Sequence, residues 1–256
     1  MRLKLVLVGA WCVMASIAAL HWTDGVAAAA SESRASLDSK LDQLELMWQA
    51  GQRSAYFARA AELVQLLPYQ VADVAQPAGL RLMRALLDKQ IPASTKDAFQ
   101  IGSADLTTMT ALGRFLSVDY AIPAGLEQQK VQLLATLLGR LRAERVPGYV
   151  WQEVYLNVPP PPGVRGVSGM NPDEIEDPVA REKYKAARRE NSLRNLQNKR
   201  QRALEDAELI VARPIIELLK HAAKSDRALA DTVAKSVPQA RLTESEKKEV
   251  LGVRTN

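Results

Sequence analysis

Apolar residues recur every three or four positions through most of this chain. The first such set comprises Leu37, Leu41, Leu44 and Trp48. A repeat of this length places the apolar side chains on one face of an α-helix. The chain is also rich in alanine, leucine, glutamate, lysine and arginine, which are good helix formers. We therefore expect an all-α fold, either a helical bundle or an array of paired helices.

Prolines and glycines interrupt this pattern and predict where helices begin. Pro77 should open a helix, because its missing N–H costs nothing in a first turn. The tetrapeptide Pro-Ala-Gly-Leu occurs at 77–80 and again at 123–126, and we expect it to open a helix at both places. The spacing of the two copies fits a paired-helix repeat, but prolines and glycines also punctuate helices that are not repeats.

The first thirty residues have the layout of a secretory signal peptide. Arg2 and Lys4 precede an uncharged apolar run, Leu5 to Leu20, which is followed by a polar break and a run of alanines. The run is shorter than the ~20 residues that span a bilayer, and small residues at its end are typical of a cleaved leader. We expect cleavage after Ala28, Ala29 or Ala30, and hence a periplasmic or secreted protein.

Loss of this leader limits the chemistry of the mature chain. Cys12 and His21 both lie in it, so no thiol and a single imidazole, His221, would remain. His221 lies four residues after Glu217, as expected of a paired or dipole-stabilised side chain. The sequence contains no motif of a zinc protease, a serine hydrolase or a phosphate loop. The sequence therefore predicts no disulfide, metal, cofactor or catalytic residue of these classes.

The helical pattern stops at Pro147. Residues 149–155 are aromatic and β-branched, which favours an extended segment, and the four prolines that follow impose a polyproline II conformation. The aromatic side chains either line a ligand groove or, more commonly, anchor the segment on a helical core; they are Tyr149, Trp151 and Tyr155.

This interruption divides the chain into regions. After the predicted signal peptide (1–30), we expect an N-terminal helical region (31–158) and a linker rich in proline and glycine (159–170). A C-terminal helical region (171–256) follows. The sequence does not indicate whether the two helical regions pack as one body.

A capping pattern begins the C-terminal region. Asn171 and Asp177 each precede a proline and can cap a helix that starts at that proline. The segment from Gly169 to Tyr184 reads G-M-N-P-x-x-I-x-D-P-x-x-R-x-x-Y. This pattern resembles one found in exported bacterial proteins of uncharacterised function. The resemblance implies export and helices, and it implies no particular activity.

A long helix should run from Pro178 to about Arg213. Pro214 should kink or restart it, because proline removes a hydrogen bond and crowds the preceding turn. Its predicted core seam, into which Arg200 intrudes, consists of Leu193, Leu196, Ala203, Ala207 and Ile210. Further along, Thr243 and Glu246 form the pattern of a capping box. They predict a short final helix that Gly252 closes.

The long helix carries the strongest charge asymmetry of the chain, nine basic residues against Glu182 and Glu190 between positions 181 and 202. Helical spacing gathers several of these residues into one stripe, which we name the basic stripe. We predict that it binds an anionic partner; its residues are Arg181, Lys185, Arg188, Lys199 and Arg202. The alternative is a solvated face that neighbouring carboxylates partly neutralise. Nucleic acid is excluded as a partner, because the protein is exported and the stripe lacks an aromatic stacking platform.

The sequence thus predicts an exported, non-catalytic helical protein that binds or scaffolds another envelope or extracellular component. Loss of Arg2, Lys4 and Asp24 with the leader reduces the net charge from +5 to +4. That charge and the lack of a second long apolar run indicate a soluble mature chain without a transmembrane segment. The partner is another protein or an anionic envelope component.

Two alternative functions remain open. One is a peripheral protein that binds anionic surfaces through the basic stripe. The other is a hydrolase of a cell-wall or extracellular polymer. Such a hydrolase requires carboxylates to converge in the fold, and the candidates are Asp97, Asp105, Asp119, Glu127 and Glu153.

Overall fold

The structure, a computed structural model, describes residues 34–89, 103–118, 125–163 and 171–252. These residues form eight α-helices and no β-strand, which confirms the predicted all-α fold. The predicted signal peptide lies outside them, as do Asp97 and Asp119. The helices are α1 (Arg34–Gln49), α2 (Arg53–Leu66), α3 (Ala72–Asp88), α4 (Ala104–Val118), α5 (Glu127–Glu144), α6 (Pro178–Ser225), α7 (Arg227–Ala240) and α8 (Glu244–Leu251).

One hydrophobic core joins helices from both predicted helical regions. Its members include Leu37 of α1, Met83 of α3, Leu138 of α5, Val211 of α6 and Val233 of α7, none more than 2% exposed. Burying one such side chain contributes about 1.5–3 kcal/mol. A core of this extent explains how the chain folds without a disulfide framework.

Two glycines allow the central helices to pack closely. A Cβ atom at Gly139 of α5 would lie 1.7 Å from the carbonyl oxygen of Gln239 in α7. A Cβ atom at Gly113 of α4 would lie 2.4 Å from a methyl group of Leu137. The α5–α7 contact is therefore made directly on backbone, which only glycine permits.

Three prolines lie inside the described helices, namely Pro77, Pro214 and Pro238. The position of Pro77 is contrary to prediction. The third helix begins at Ala72, so Pro77 is interior and the tetrapeptide at 77–80 does not open it. The second copy of the tetrapeptide lies only partly within the described residues. Helix α6 likewise continues past Pro214. An interior proline costs about 3 kcal/mol, but burial of the residues that follow, such as the fully buried Ile215, offsets that cost.

The predicted capping pattern is confirmed at three helix starts. Asn171 and Asp177 each accept a hydrogen bond from the backbone N–H two residues further on, at 3.3 and 2.9 Å. Thr243 and Glu246 form the capping box of α8. Gly252 ends α8 in the left-handed conformation, with φ of 65°, which glycine adopts without strain.

The core face of α6 differs from the predicted seam. Ala207 is buried as expected, whereas Ile210 is 44% exposed and Leu204 and Val211 take its place. The helix reaches the main core only from Ala203 onward. The seam was wrong because it extended one apolar face along a helix whose first half has no core to pack against.

We predict that Gly139→Ala lowers the free energy of unfolding by about 2 kcal/mol or more, because the new methyl group must separate α5 from α7. Chemical denaturation followed by circular dichroism measures this change. Gly79→Ala in α3 is the control, since its Cβ would meet only a movable methyl of Leu116 at 3.1 Å. We expect that control to change stability by less than about 1 kcal/mol. Equal effects of the two substitutions would contradict the close α5–α7 contact.

Candidate interaction surface

The N-terminal half of α6 extends beyond the main core. The helix has 48 residues and is therefore about 72 Å long, but it contributes to that core only from Ala203 onward. The preceding half is accompanied by the extended segment 146–163, which we name the strap. Together the strap and residues 171–202 form a unit that we name the arm.

Two asparagines of α6 bind the backbone of the strap. Asn198 accepts a hydrogen bond from the Gln152 N–H (3.2 Å) and donates one to the Gln152 carbonyl (2.7 Å). Asn191 accepts from the Tyr155 N–H (3.0 Å) and donates to the carbonyl of the same residue. A carboxamide carries a donor and an acceptor side by side. Each asparagine therefore pairs with the strap as a neighbouring β-strand would.

The spacing of these contacts follows from the rise of the two backbones. Three residues of extended chain rise by about 10 Å, and seven residues of α-helix rise by about 10.5 Å. The two bound strap residues are three apart and the two asparagines are seven apart, so both pairs align. Val158 lies three residues beyond Tyr155 on the strap, and Tyr184 lies seven residues before Asn191 on α6. These two side chains pack in a small apolar cluster with Ile175 and Ala180.

A turn fixes the start of the strap. The Val146 N–H donates to the side chain of Gln201 at 3.1 Å, and Gly148 makes the turn with φ of 66°. The Tyr149 hydroxyl donates to Asn198 at 2.9 Å. The interpretation of Tyr149 as an anchor is therefore confirmed. The other two aromatic residues of the strap remain about half exposed.

Arg200 ties the arm to the main core. Its guanidinium lies 3.1 Å from Asp105 of α4 and 2.6 Å from Glu144 of α5. Burial alone would lower the pKa of Arg200, but the charges and hydrogen bonds of the two carboxylates raise it above its ordinary value. The residue that was predicted to intrude on an apolar seam thus forms an ion cluster at the base of the arm.

The last turn of α5 carries two further arginines with internal partners. Arg140 donates to the carbonyl oxygens of Leu87 (3.0 Å) and Lys89 (3.3 Å), where α3 ends. Such bonds satisfy carbonyl groups that a helix leaves open at its end. Arg142 makes two hydrogen bonds of 2.7 Å to Glu246 of α8. These bonds lower the pKa of the Glu246 carboxyl to about 2.

An open groove of about 630 Å³ lies beside this second cluster, between α5, α6 and α8. Much of its charged lining is already paired within the protein. Arg142 also contacts Glu208 at 2.9 Å, and Arg213 contacts Glu249 at 3.0 Å. The groove therefore offers few charges for a ligand.

Two residues of the basic stripe are engaged in the structure of the arm itself. Arg181 donates from Nε to the carbonyl oxygen of Ile175 at 2.8 Å. Lys185 lies 3.0 Å from the carboxylate of Asp173. Both contacts fasten the turn that precedes α6. The assignment of these two residues to partner binding stays a prediction.

The other three stripe residues have exposed side chains. The guanidinium of Arg188 lies 5.9 Å from the ring of Tyr184, and that of Arg202 lies 5.9 Å from the ring of Trp151. Lys199 is exposed. Within the described ranges, no carboxylate is at ion-pair distance from five basic residues of the arm: Lys183, Arg188, Arg189, Lys199 and Arg202.

The carboxylates of the hydrolase alternative do not converge where the structure describes them. Asp105 is paired with Arg200, and Glu153 on the strap accepts a hydrogen bond from the Tyr155 hydroxyl. Glu127 binds a backbone N–H at the start of α5, about 25 Å along that helix from Glu144. No group of three metal-ligating side chains occurs in the described part of the chain.

Comparisons with protein-family models, curated proteins and solved structures found no match. The resemblance of the segment from Gly169 to Tyr184 to exported bacterial proteins therefore stays a prediction. Of the helices that the structure describes, none combines the length and the apolar character needed to cross a membrane.

Sequence analysis missed the two asparagines that bind the strap. The available signal was their separation by seven residues, which places Asn191 and Asn198 on the same face of one helix. Two asparagines seven residues apart predict a docking site for another segment only if the sequence also contains an extended segment that could bind there. The proline-rich stretch before α6 supplied that second signal.

We predict that the double substitution Asn191→Ala, Asn198→Ala releases the strap. The variant loses three hydrogen bonds at Asn198 and two at Asn191, each of roughly 1 kcal/mol, so chymotrypsin should cleave at Trp151 or Tyr155 at least tenfold faster. Asn195→Ala is the matched control, since Asn195 lies between the two on α6 and makes no hydrogen bond to the strap. Equal cleavage rates in the double variant and the control would contradict the docking of the strap.

Glu246 provides a prediction on pH dependence. Its pKa is about 2 in the folded protein against an ordinary value of 4.5, so its ion pair stabilises the fold above pH 4.5. That stabilisation declines as the pH falls from 4.5 through 2. Urea denaturation across this range should show a smaller loss of stability for Glu246→Gln than for wild type. Glu205→Gln, at an exposed position of α6, should behave as wild type, and identical acid sensitivity of all three proteins would refute the assignment.

Proposed function

We propose that this protein is an exported, non-catalytic binding protein whose arm docks on an anionic component of the cell envelope. The observation that carries the proposal is the set of five basic arm residues without carboxylate partners among the described residues. Export rests on the predicted signal peptide.

The contrast with the core supports a binding role for these charges. The arginines at the end of α5 and at the base of the arm are all paired with carboxylates or carbonyl groups. Unpaired like charges on one helix repel each other and lower its stability slightly. The five arm residues that form no ion pair with a described carboxylate therefore leave their charges available to attract anions at long range.

The arm also holds its charges in a fixed arrangement. The base is fastened by Arg200, the middle by two asparagines and the far end by the apolar cluster around Tyr184. A surface that is already ordered loses less conformational entropy on binding. Among the described residues the candidate carboxylates lie apart or are paired, so the structure supports docking on a partner more strongly than catalysis by carboxylates.

The test is association of the exported protein with the envelope fraction of its own cells. A variant with four arm substitutions, R188Q, R189Q, K199Q and R202Q, should lose this association at physiological salt. The matched control carries four substitutions of exposed basic residues outside the arm, R84Q, R114Q, K224Q and K235Q. It removes the same charge and should sediment with the envelope as wild type does.

High salt should release the wild-type protein, because screening weakens contacts between exposed charges. Retention of the arm variant in the envelope fraction would overturn the proposal. Equal loss in both variants would also overturn it, because net charge rather than the arm would then govern association.

A further inference from the structure

The strap presents four exposed or half-exposed apolar side chains, one of which, that of Trp151, lies beside Arg202 of the basic stripe. Leu156 is 97% exposed and Val150 is 80% exposed, while Trp151 and Tyr155 are about half exposed. Single exposed apolar residues are ordinary. Here four of them lie within seven consecutive residues of one extended segment, and we name this set of four the apolar edge.

The way in which the strap is bound leaves this edge available. At Gln152 and Tyr155 the asparagines Asn198 and Asn191 bind backbone atoms of the strap, whereas Tyr149 binds Asn198 through its hydroxyl. None of these hydrogen bonds uses the side chain of Val150, Trp151, Tyr155 or Leu156. The pinned backbone fixes the place of the apolar edge, and the fold makes no other use of Val150 or Leu156.

Basic and apolar groups meet at the same place on the arm. The guanidinium of Arg202 lies 5.9 Å from the ring of Trp151, so a cation and an aromatic ring approach a partner together. Tryptophan and tyrosine are enriched at the boundary between headgroups and hydrocarbon. Arginine and lysine can lay their stems along apolar surface while their charges stay among the headgroups.

From this juxtaposition we infer that the arm binds the surface of a bilayer that contains anionic phospholipids. The basic residues contact lipid phosphates, and the apolar edge inserts at the headgroup boundary. The inference rests on the proposed function and names the partner that the arm recognises. A soluble anionic polymer would use the charges alone and would leave Val150 and Leu156 in water.

The two contributions act together in this arrangement. One basic residue near an anionic bilayer adds roughly a fivefold factor to affinity, and buried apolar area adds to the same binding free energy. Several basic residues and a short apolar edge give reversible attachment, with the arm lying on the surface. Lys183, Arg188, Arg189, Lys199 and Arg202 supply the charges.

The experiment uses the exported protein and vesicles of phosphatidylcholine, with or without phosphatidylglycerol. We expect binding only to the anionic vesicles, with a blue shift of Trp151 emission and quenching by brominated lipid chains. Trp151→Phe should bind and lose most of the shift. The four-residue arm variant should bind at least a hundredfold more weakly, since four basic residues are removed.

The apolar edge has its own test. The double variant Val150→Ser, Leu156→Ser should bind anionic vesicles about tenfold more weakly. Leu209→Ser is the matched control, because Leu209 is 82% exposed on the core half of α6 and should change binding less than twofold. An equal effect of the control, or none of the double variant, would overturn insertion of the apolar edge.

The outcomes separate this inference from the proposed function. Envelope association without vesicle binding would overturn the lipid partner and leave a different anionic component. Binding to soluble dextran sulfate with no shift of Trp151 emission on vesicles would do the same. Equal binding to neutral and anionic vesicles would overturn the role of the basic residues. Loss of both envelope and vesicle binding would overturn the proposed function as well.

Discussion

The paired charges at the C-terminal end of α5 hold the two parts of this molecule together. Arg200 brings α4, α5 and α6 to one point through Asp105 and Glu144. Removing one partner of a buried ion pair leaves an uncompensated charge and costs several kcal/mol. The strap leaves α5 directly after this point, so the direction of the arm depends on these contacts.

Helix α6 combines two kinds of surface along one continuous element. Its C-terminal half buries residues such as Val211 and Leu219 in the main core. Its N-terminal half carries basic residues, and the strap covers one face of that half. Because one helix spans both halves, the core can hold the arm at a fixed position without any residue of the arm entering the core.

Local signals predicted much of the fold, and long-range contacts account for the rest. The capping boxes and helix content follow from residues within one turn of each other, so Thr243 and Asp177 could be interpreted correctly. Pro77 could not, because burial of the surrounding helix outweighs its local preference. The role of Arg200 depended on Asp105, which lies 95 residues away. Of the candidate site, the basic stripe was visible in the sequence, whereas the docking of the strap required the packed structure.

Hydrogen exchange of the strap amides, measured residue by residue with NMR, tests most directly whether the strap is docked on α6. In the docked register Gln152 pairs with Asn198 and Tyr155 pairs with Asn191. The account predicts that the amides of Gln152 and Tyr155 exchange more slowly than those of Trp151 and Glu153, because only the former donate to the asparagines. Uniformly fast exchange from 150 to 156 would contradict it, since the strap would then have no fixed register on the helix.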